Sequence, residues 1–176
     1  MLEDYRNLIT MNPMKTLLIL RHAKASKGDP NLKDHERPLN EIGQVQIPSV
    51  AKMLTKEGLK PDLILSSTAL RTRQTAELMA KVIGFSGKFI YTDELYESNM
   101  KKYFEALQDL PDESQTVMIV GHNPAHEEFL SLLTDKFESL STGALAYVEL
   151  STNHWRELQM KPCGKLIHLW RPKEMV

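Results

Sequence analysis

Two short runs of the sequence, Leu17-Leu18-Ile19-Leu20 and Val117-Met118-Ile119-Val120, are apolar at every position, and each leads straight into a histidine. Arg21-His22-Ala23 follows the first and Gly121-His122-Asn123-Pro124 follows the second. A strand with one wet face alternates apolar and polar side chains. A run that is apolar throughout belongs in a sheet covered on both faces. In open α/β sheets, ligands bind outside the carboxyl ends of the strands. Each histidine therefore falls where chemistry is expected, and two adjacent parallel strands would bring His22 and His122 together.

The rest of the chain supplies what covers such a sheet. Further strands are expected at 62–65, after Pro61, and more weakly at 88–91, beside those at 15–20 and 116–120. Asn40 can cap a helix that ends near Gly58, with Ile47, Val50 and Leu54 on its apolar side. Pro48 lies inside that segment and should kink or split it. A second helix is expected over 70–83, with Thr75, Leu78, Met79 and Val82 on one face and Gly84 just beyond it. A third is expected over 100–110. A fourth should run to Leu133, with Pro124 as an early residue. The C-terminal part changes character, and 144–150, 154–160 and 166–169 look like strands joined by turns, which Trp155 and Trp170 would pack. The pattern predicts an α/β fold of three αβα layers around a mixed, mostly parallel central sheet.

Composition excludes several classes. The 176 residues suit one domain of about 100–200 residues, with 41% hydrophobic and 26% charged residues. A net charge of −1 gives no reason to expect nucleic acid or an anionic membrane as the main partner. No apolar run approaches the roughly 20 residues of a membrane helix. Cys163 is the only cysteine, so neither an internal disulfide nor a cysteine-pair zinc site can form. Cytoplasm is the default expectation. Residues 1–13 do not resemble a signal peptide. They read as a loosely held extension, with the folded domain spanning 14–176.

A third strand end completes the pattern. Leu63-Ile64-Leu65 leads into Ser66-Ser67, and the helix beginning Leu70-Arg71-Thr72 follows. Arg21, Arg71, His22, His122 and a helix N-terminus directed at one point make an anion site. A guanidinium presents a planar donor fork that matches phosphate oxygens, and helix ends add oriented N–H groups. A neutral imidazole is a competent nucleophile near pH 7, and a backbone carbonyl on its second nitrogen would set the tautomer. Neither a cofactor nor a metal is expected: Arg and His can neutralise charge, and no carboxylate cluster suits magnesium. A zinc pair of His122 and His126 lacks evident further ligands. His126, His154 and His168 are expected to be structural or exposed, and Arg73 to be solvated.

These motifs resemble the histidine phosphatase superfamily, which includes phosphoglycerate mutase. The resemblance rests on Leu20-Arg21-His22, Ser67 through Ala76, and Val120-Gly121-His122-Asn123. The segment Leu32-Lys33-Asp34-His35-Glu36-Arg37-Pro38-Leu39-Asn40, with Gly43, and the segment from Pro61 to Ser67 are similar to the SixA-type phosphohistidine phosphatases. Two departures stand out: Ala23 replaces the superfamily's usual glycine, and Lys24-Ala25-Ser26-Lys27 differs from the commoner Lys-Ser-Ser-Trp. The resemblance implies a phosphoglycerate mutase-like fold and a metal-independent phosphoric monoester or phosphoramidate hydrolase. It implies that His22 attacks phosphorus and becomes phosphorylated, while Arg21, Arg71 and His122 hold the transferred oxygens. Asn123 and Arg37 are further candidates for substrate contact, and His35 and Arg37 could form a rim that touches substrate or, equally, a water-facing turn. Glu97, in Leu95-Tyr96-Glu97, matches a short acid-bearing pattern and is the candidate general acid.

The expected substrate is a phosphohistidine on a partner protein. The alternatives are a small phosphate ester as substrate and, from another class, a non-catalytic phosphate-binding or protein-interaction module. The intact quartet of Arg21, His22, Arg71 and His122 counts against the last. The leaving group separates the first two, because an alkoxide needs protonation and an imidazole needs little.

Overall fold

The structure is a computed structural model that describes residues 14–172. The expected N-terminal extension, residues 1–13, lies outside the described residues. Six strands form one sheet: β1 (Thr16–Arg21), β2 (Leu63–Ser67), β3 (Lys88–Thr92), β4 (Thr116–Gly121), β5 (Leu145–Leu150) and β6 (Gly164–Trp170). The order across the sheet is β3-β2-β4-β1-β5-β6. The first four of these are mutually parallel. β5 pairs antiparallel with both β1 and β6, so it alone runs against the rest.

The two faces of the sheet are buried by different helices. On β1, Leu17 and Ile19 join the cluster containing α3 (Met100–Gln108) and α4 (Ala125–Thr134). Leu18 and Leu20 join the cluster containing α1 (Glu41–Lys56) and α2 (Leu70–Ile83). All four β1 side chains are fully buried, as an uninterrupted apolar run requires. This is the three-layer α/β arrangement expected from the sequence.

The helix caps follow local chemistry. The Asn40 side chain accepts from the Gly43 N–H at 2.9 Å, and Gly58 and Gly84 adopt left-handed backbone just past α1 and α2. Pro48 does not split α1, which is assigned as one helix through it. The carbonyl that loses its partner belongs to Gln44, an exposed residue that water can reach, while Ile47, Val50, Ala51 and Leu54 anchor both sides of the proline in the core. On α2 the buried face is Arg71, Thr72, Thr75, Ala76, Met79 and Ala80. Val82, expected on that face, is 38% exposed.

Residues 154–160 are not a strand. They contain a 3₁₀ turn at Trp155–Glu157. Asp112 holds it by accepting from the Trp155 backbone N–H at 3.0 Å and pairing with His154 Nδ1 at 2.8 Å. The Trp155 indole is fully buried and donates to the Ser114 carbonyl at 2.7 Å. A tertiary partner thus outweighs the local extended preference.

The loop after β1 is fastened to both α1 and α2. Ala23 N–H donates to Thr75 Oγ1 at 3.0 Å, Lys24 N–H donates to Gln46 Oε1 at 2.9 Å, and the Lys24 carbonyl accepts from Asn40 N–H at 3.0 Å. Gly43 lets α1 approach this loop. A Cβ there would collide with the Lys24 carbonyl oxygen and lie 3.0 Å from the Lys24 nitrogen. Backbone on both sides leaves nothing flexible to yield. Gly43→Ala should therefore lower stability by about 1–3 kcal/mol, the usual penalty of overpacking, as read from a shifted denaturation midpoint.

Candidate active site

β1 and β4 are neighbours with Arg21 opposite Gly121, and β2 lies on the far side of β4 with Ser66 opposite Val120. The residues that follow β1 and β4 are therefore His22 and His122, side by side, while Ser67 ends β2 one register step before them. The His22 and His122 ring centroids are 5.3 Å apart. His22 is tied down through its backbone: its N–H donates to the Gly121 carbonyl and its carbonyl accepts from Gly143 N–H, both at 3.1 Å.

His22 and His122 line a cleft of about 420 Å³ at the carboxyl edge of the sheet. Arg21, His22, Arg71, His122, Asn123, Arg37 and Glu97 all reach it, together with Lys24, Tyr96 and Thr142. Every site residue named from the sequence except His35 is thus brought to one place. Of the two rim candidates, Arg37 lines the cleft and His35 does not. His35 packs edge-on against Tyr96 at 4.7 Å and bonds Thr68 Oγ1 through Nε2 at 2.9 Å.

The His22 ring has a defined tautomer. Nδ1 lies 2.8 Å from the Ala23 carbonyl oxygen. A carbonyl only accepts, so Nδ1 carries the proton and Nε2 of the neutral ring keeps its lone pair. Burial is the largest force on this group: it pushes the His22 pKa down to about 4, with Arg71, Arg21 and Arg37 adding to the effect against the Ala23 bond. His122 is lowered to about 3, first by burial and then by His22 and Arg71. Its Nε2 lies 3.0 Å from Ser67 Oγ and its Nδ1 lies 3.4 Å from an Arg71 terminal nitrogen. The arginine can only donate, which leaves Nδ1 as acceptor and the proton on Nε2.

The arginines are held rather than free. Arg21 NH1 donates to the Leu140 carbonyl at 2.7 Å, and that carbonyl also accepts from Asn123 Nδ2 at 3.0 Å. Arg71 is 5% exposed. Its NH1 donates to the Asp34 carbonyl at 2.8 Å and its NH2 to Asp34 Oδ2 at 3.0 Å. The Nε groups of Arg21 and Arg71 are buried with no hydrogen-bond partner. The cleft thus gathers cationic donors around two neutral imidazoles, an arrangement suited to an oxyanion that a ring nitrogen can approach.

Sequence reasoning missed Asp34, Tyr96 and Thr142. Asp34 had a readable signal, an acid three residues before Arg37. Tyr96 lay within a quoted motif without a role, and Thr142 carried no signal. Of the His122–His126 pair, His126 is fully buried with both ring nitrogens unpartnered, its ring 5.0 Å from that of Tyr103. Among the described residues, no group of three His, Cys, Asp or Glu side chains is placed to hold a metal ion. No described helix is long and apolar enough to cross a membrane.

A cleft lined by arginines and histidines at the carboxyl edge of a three-layer α/β sheet places the protein in a recognisable class. The family model of the histidine phosphatase superfamily (branch 1) matches residues 17–115, and the chain belongs to that superfamily. An uncharacterized chloroplastic protein of Arabidopsis thaliana is 35% identical over 158 residues, covering 81% of this chain and 70% of that protein. A structure assigned as the phosphohistidine phosphatase SixA of Agrobacterium tumefaciens is 30% identical, with a TM-score of 0.78 over 91% of this chain and 99% of that one. One assigned as SixA from Nakamurella multipartitia is 25% identical, with a TM-score of 0.80 over 90% and 96% of the two chains.

The low histidine pKa values have a signed consequence. An unfolded histidine titrates near 6.5, so between there and about 4 the unfolded chain binds the proton that native His22 refuses. The resulting stabilisation is fully present above about pH 6.5 and declines as pH falls toward 4. Ring NMR titration of the free protein should give His22 a midpoint near 4, and bound tungstate should move it upward.

Proposed function

We propose that the chain is a SixA-like phosphatase that removes the phosphoryl group from phosphohistidine on a partner protein, with His22 as the nucleophile. The observation that carries this reading is the Nδ1 contact of His22 with the Ala23 carbonyl, which leaves Nε2 as a lone-pair donor inside a cationic cleft. In the first step Nε2 forms a bond to phosphorus, and the bond from phosphorus to the substrate's imidazole breaks. That imidazole leaves neutral, because its far nitrogen already holds a proton. The phosphorylated His22 ring carries positive charge, which the Ala23 carbonyl stabilises through Nδ1–H. Water then attacks phosphorus, the bond to Nε2 breaks, both of the water's protons leave with the phosphate as dihydrogen phosphate, and His22 returns to its neutral form.

Arg21, Arg71 and His122 bind the equatorial oxygens, Asn123 helps to place Arg21 through the shared Leu140 carbonyl, and Arg37 extends the cationic wall. Phosphoryl transfer needs positioning and charge stabilisation above all, and the guanidinium groups supply both without a metal ion. The likeness to structures assigned as SixA supports a protein substrate, as does an open cleft of about 420 Å³. The reading is of a cytoplasmic enzyme with no nucleic-acid or membrane partner.

One observation favours a second reading, a small phosphate ester. Glu97 lines the cleft and adopts left-handed backbone at φ 48°, a conformation that costs a non-glycine residue about 1–3 kcal/mol and concentrates at functional sites. A carboxyl there could protonate a departing alkoxide.

His22→Ala should abolish turnover of every phosphate substrate while leaving the circular dichroism spectrum unchanged, and exhaustive chelation should leave wild-type rates unaltered. The Glu97→Gln variant separates the two substrates. With a phosphohistidine peptide the rate should change only a few-fold, because imidazole needs no acid. With an alkyl phosphate the loss should reach about 10²–10⁴-fold if Glu97 is the acid, and an aryl phosphate should lie nearer the insensitive end. Equal losses on all three substrates would make Glu97 a scaffold residue.

A further inference from the structure

Asp34 gathers more of the cationic site than any other side chain. Its Oδ1 accepts from Arg37 Nε and from Arg37 NH2, each at 2.8 Å. Its Oδ2 accepts from Arg71 NH2 and from the Tyr96 hydroxyl, each at 3.0 Å. Its backbone carbonyl accepts from Arg71 NH1 at 2.8 Å. Burial opposes ionisation of this carboxyl, but the bonds from Arg37 and Tyr96 and the nearby Arg71 and Arg37 charges outweigh it and hold the pKa at about 2. Asp34 also lies on the 3₁₀ turn Asp34–Glu36 of the loop between β1 and α1, whereas Arg71 is on α2 and Tyr96 follows β3. Three separate segments meet at one carboxylate.

Two guanidinium groups lining one cleft repel each other and have rotamer freedom to separate. A carboxylate bonded to both removes the repulsion and fixes each fork. We propose that Asp34 is a positioning residue, whose two carboxylate oxygens and carbonyl hold Arg71 and Arg37 as a preset pair for the incoming phosphoryl group. The inference rests on the reading that these arginines receive the phosphoryl oxygens. It has a distinctive sign. A carboxylate that merely stood near an anion site would weaken anion binding, so its removal would tighten that binding. A positioning carboxylate does the reverse.

Tungstate binding by calorimetry and turnover of an aryl phosphate test this on the full chain. Asp34→Ala should weaken tungstate binding by about tenfold, the scale of one lost charge-assisted hydrogen bond. It should lower kcat by about 10²-fold, the cost of a misplaced group. Asp34→Asn can accept at only one oxygen and should fall between. Tyr96→Phe removes one bond to Oδ2 and should give a smaller change in the same direction. In an Arg71→Ala background, Asp34→Ala should weaken tungstate much less than in the wild type, because residues acting through each other are not additive. Circular dichroism and the melting midpoint guard against unfolding. If Asp34→Ala is unfolded, Tyr96→Phe and Asp34→Asn carry the test. Tighter tungstate binding in the folded Asp34 variants, or full additivity with Arg71→Ala, would overturn the proposal. Failure of the wild type to bind tungstate would overturn the anion-site reading instead.

Discussion

The pairing of β1 with β4 is the constraint on which the site depends. With Arg21 opposite Gly121, the two histidines that follow emerge side by side. Because side chains alternate faces along a strand, a slip of one residue would turn every β1 side chain to the wrong layer. Leu17 and Ile19 face one helical pair while Leu18 and Leu20 face the other. Both faces must be filled by apolar side chains of the right size, so the core that stabilises the protein also sets the histidine spacing. Gly121 belongs to the same constraint: a Cβ there would collide with the Tyr103 hydroxyl and lie 2.8 Å from His126 Nε2. That close approach lets the Tyr103 hydroxyl accept from the His122 N–H at 3.3 Å.

Electrostatics builds on this frame. The cleft concentrates arginines, which favour ionised carboxylates and neutral imidazoles in any protein, and burial reinforces the effect on both histidines. A cationic His22 would have no lone pair to offer. The surroundings that attract an oxyanion therefore also keep the proposed nucleophile in its reactive form. The Ala23 carbonyl completes the arrangement by choosing the nitrogen that carries the proton, and Asp34 counterbalances the local excess of positive charge.

Local features of the chain were legible wherever the physics is local. Asn40 caps α1, Gly84 ends α2, and the apolar runs are strands, because each depends on nearest neighbours or on a simple period. Reading failed where a distant partner decided the outcome. Residues 154–160 look extended, but Asp112 pulls them into a turn. Val82 has the right hydropathy for the core but is 38% exposed, while the adjacent Ile83 packs against the core. His35 and Arg37, two residues apart on one loop, face different neighbours.

By itself, the sequence determined that two strand ends carry histidines, that arginines accompany them, and that the sheet needs cover on both faces, since these follow from residue identity and spacing along the chain. The tertiary structure alone decided which ring nitrogen is free, which carboxylate joins Arg37 to Arg71, and that Tyr96 and Thr142 reach the cleft. Hydrogen bonds between segments tens of residues apart, and the burial that shifts a pKa, arise only once the strand order has been chosen.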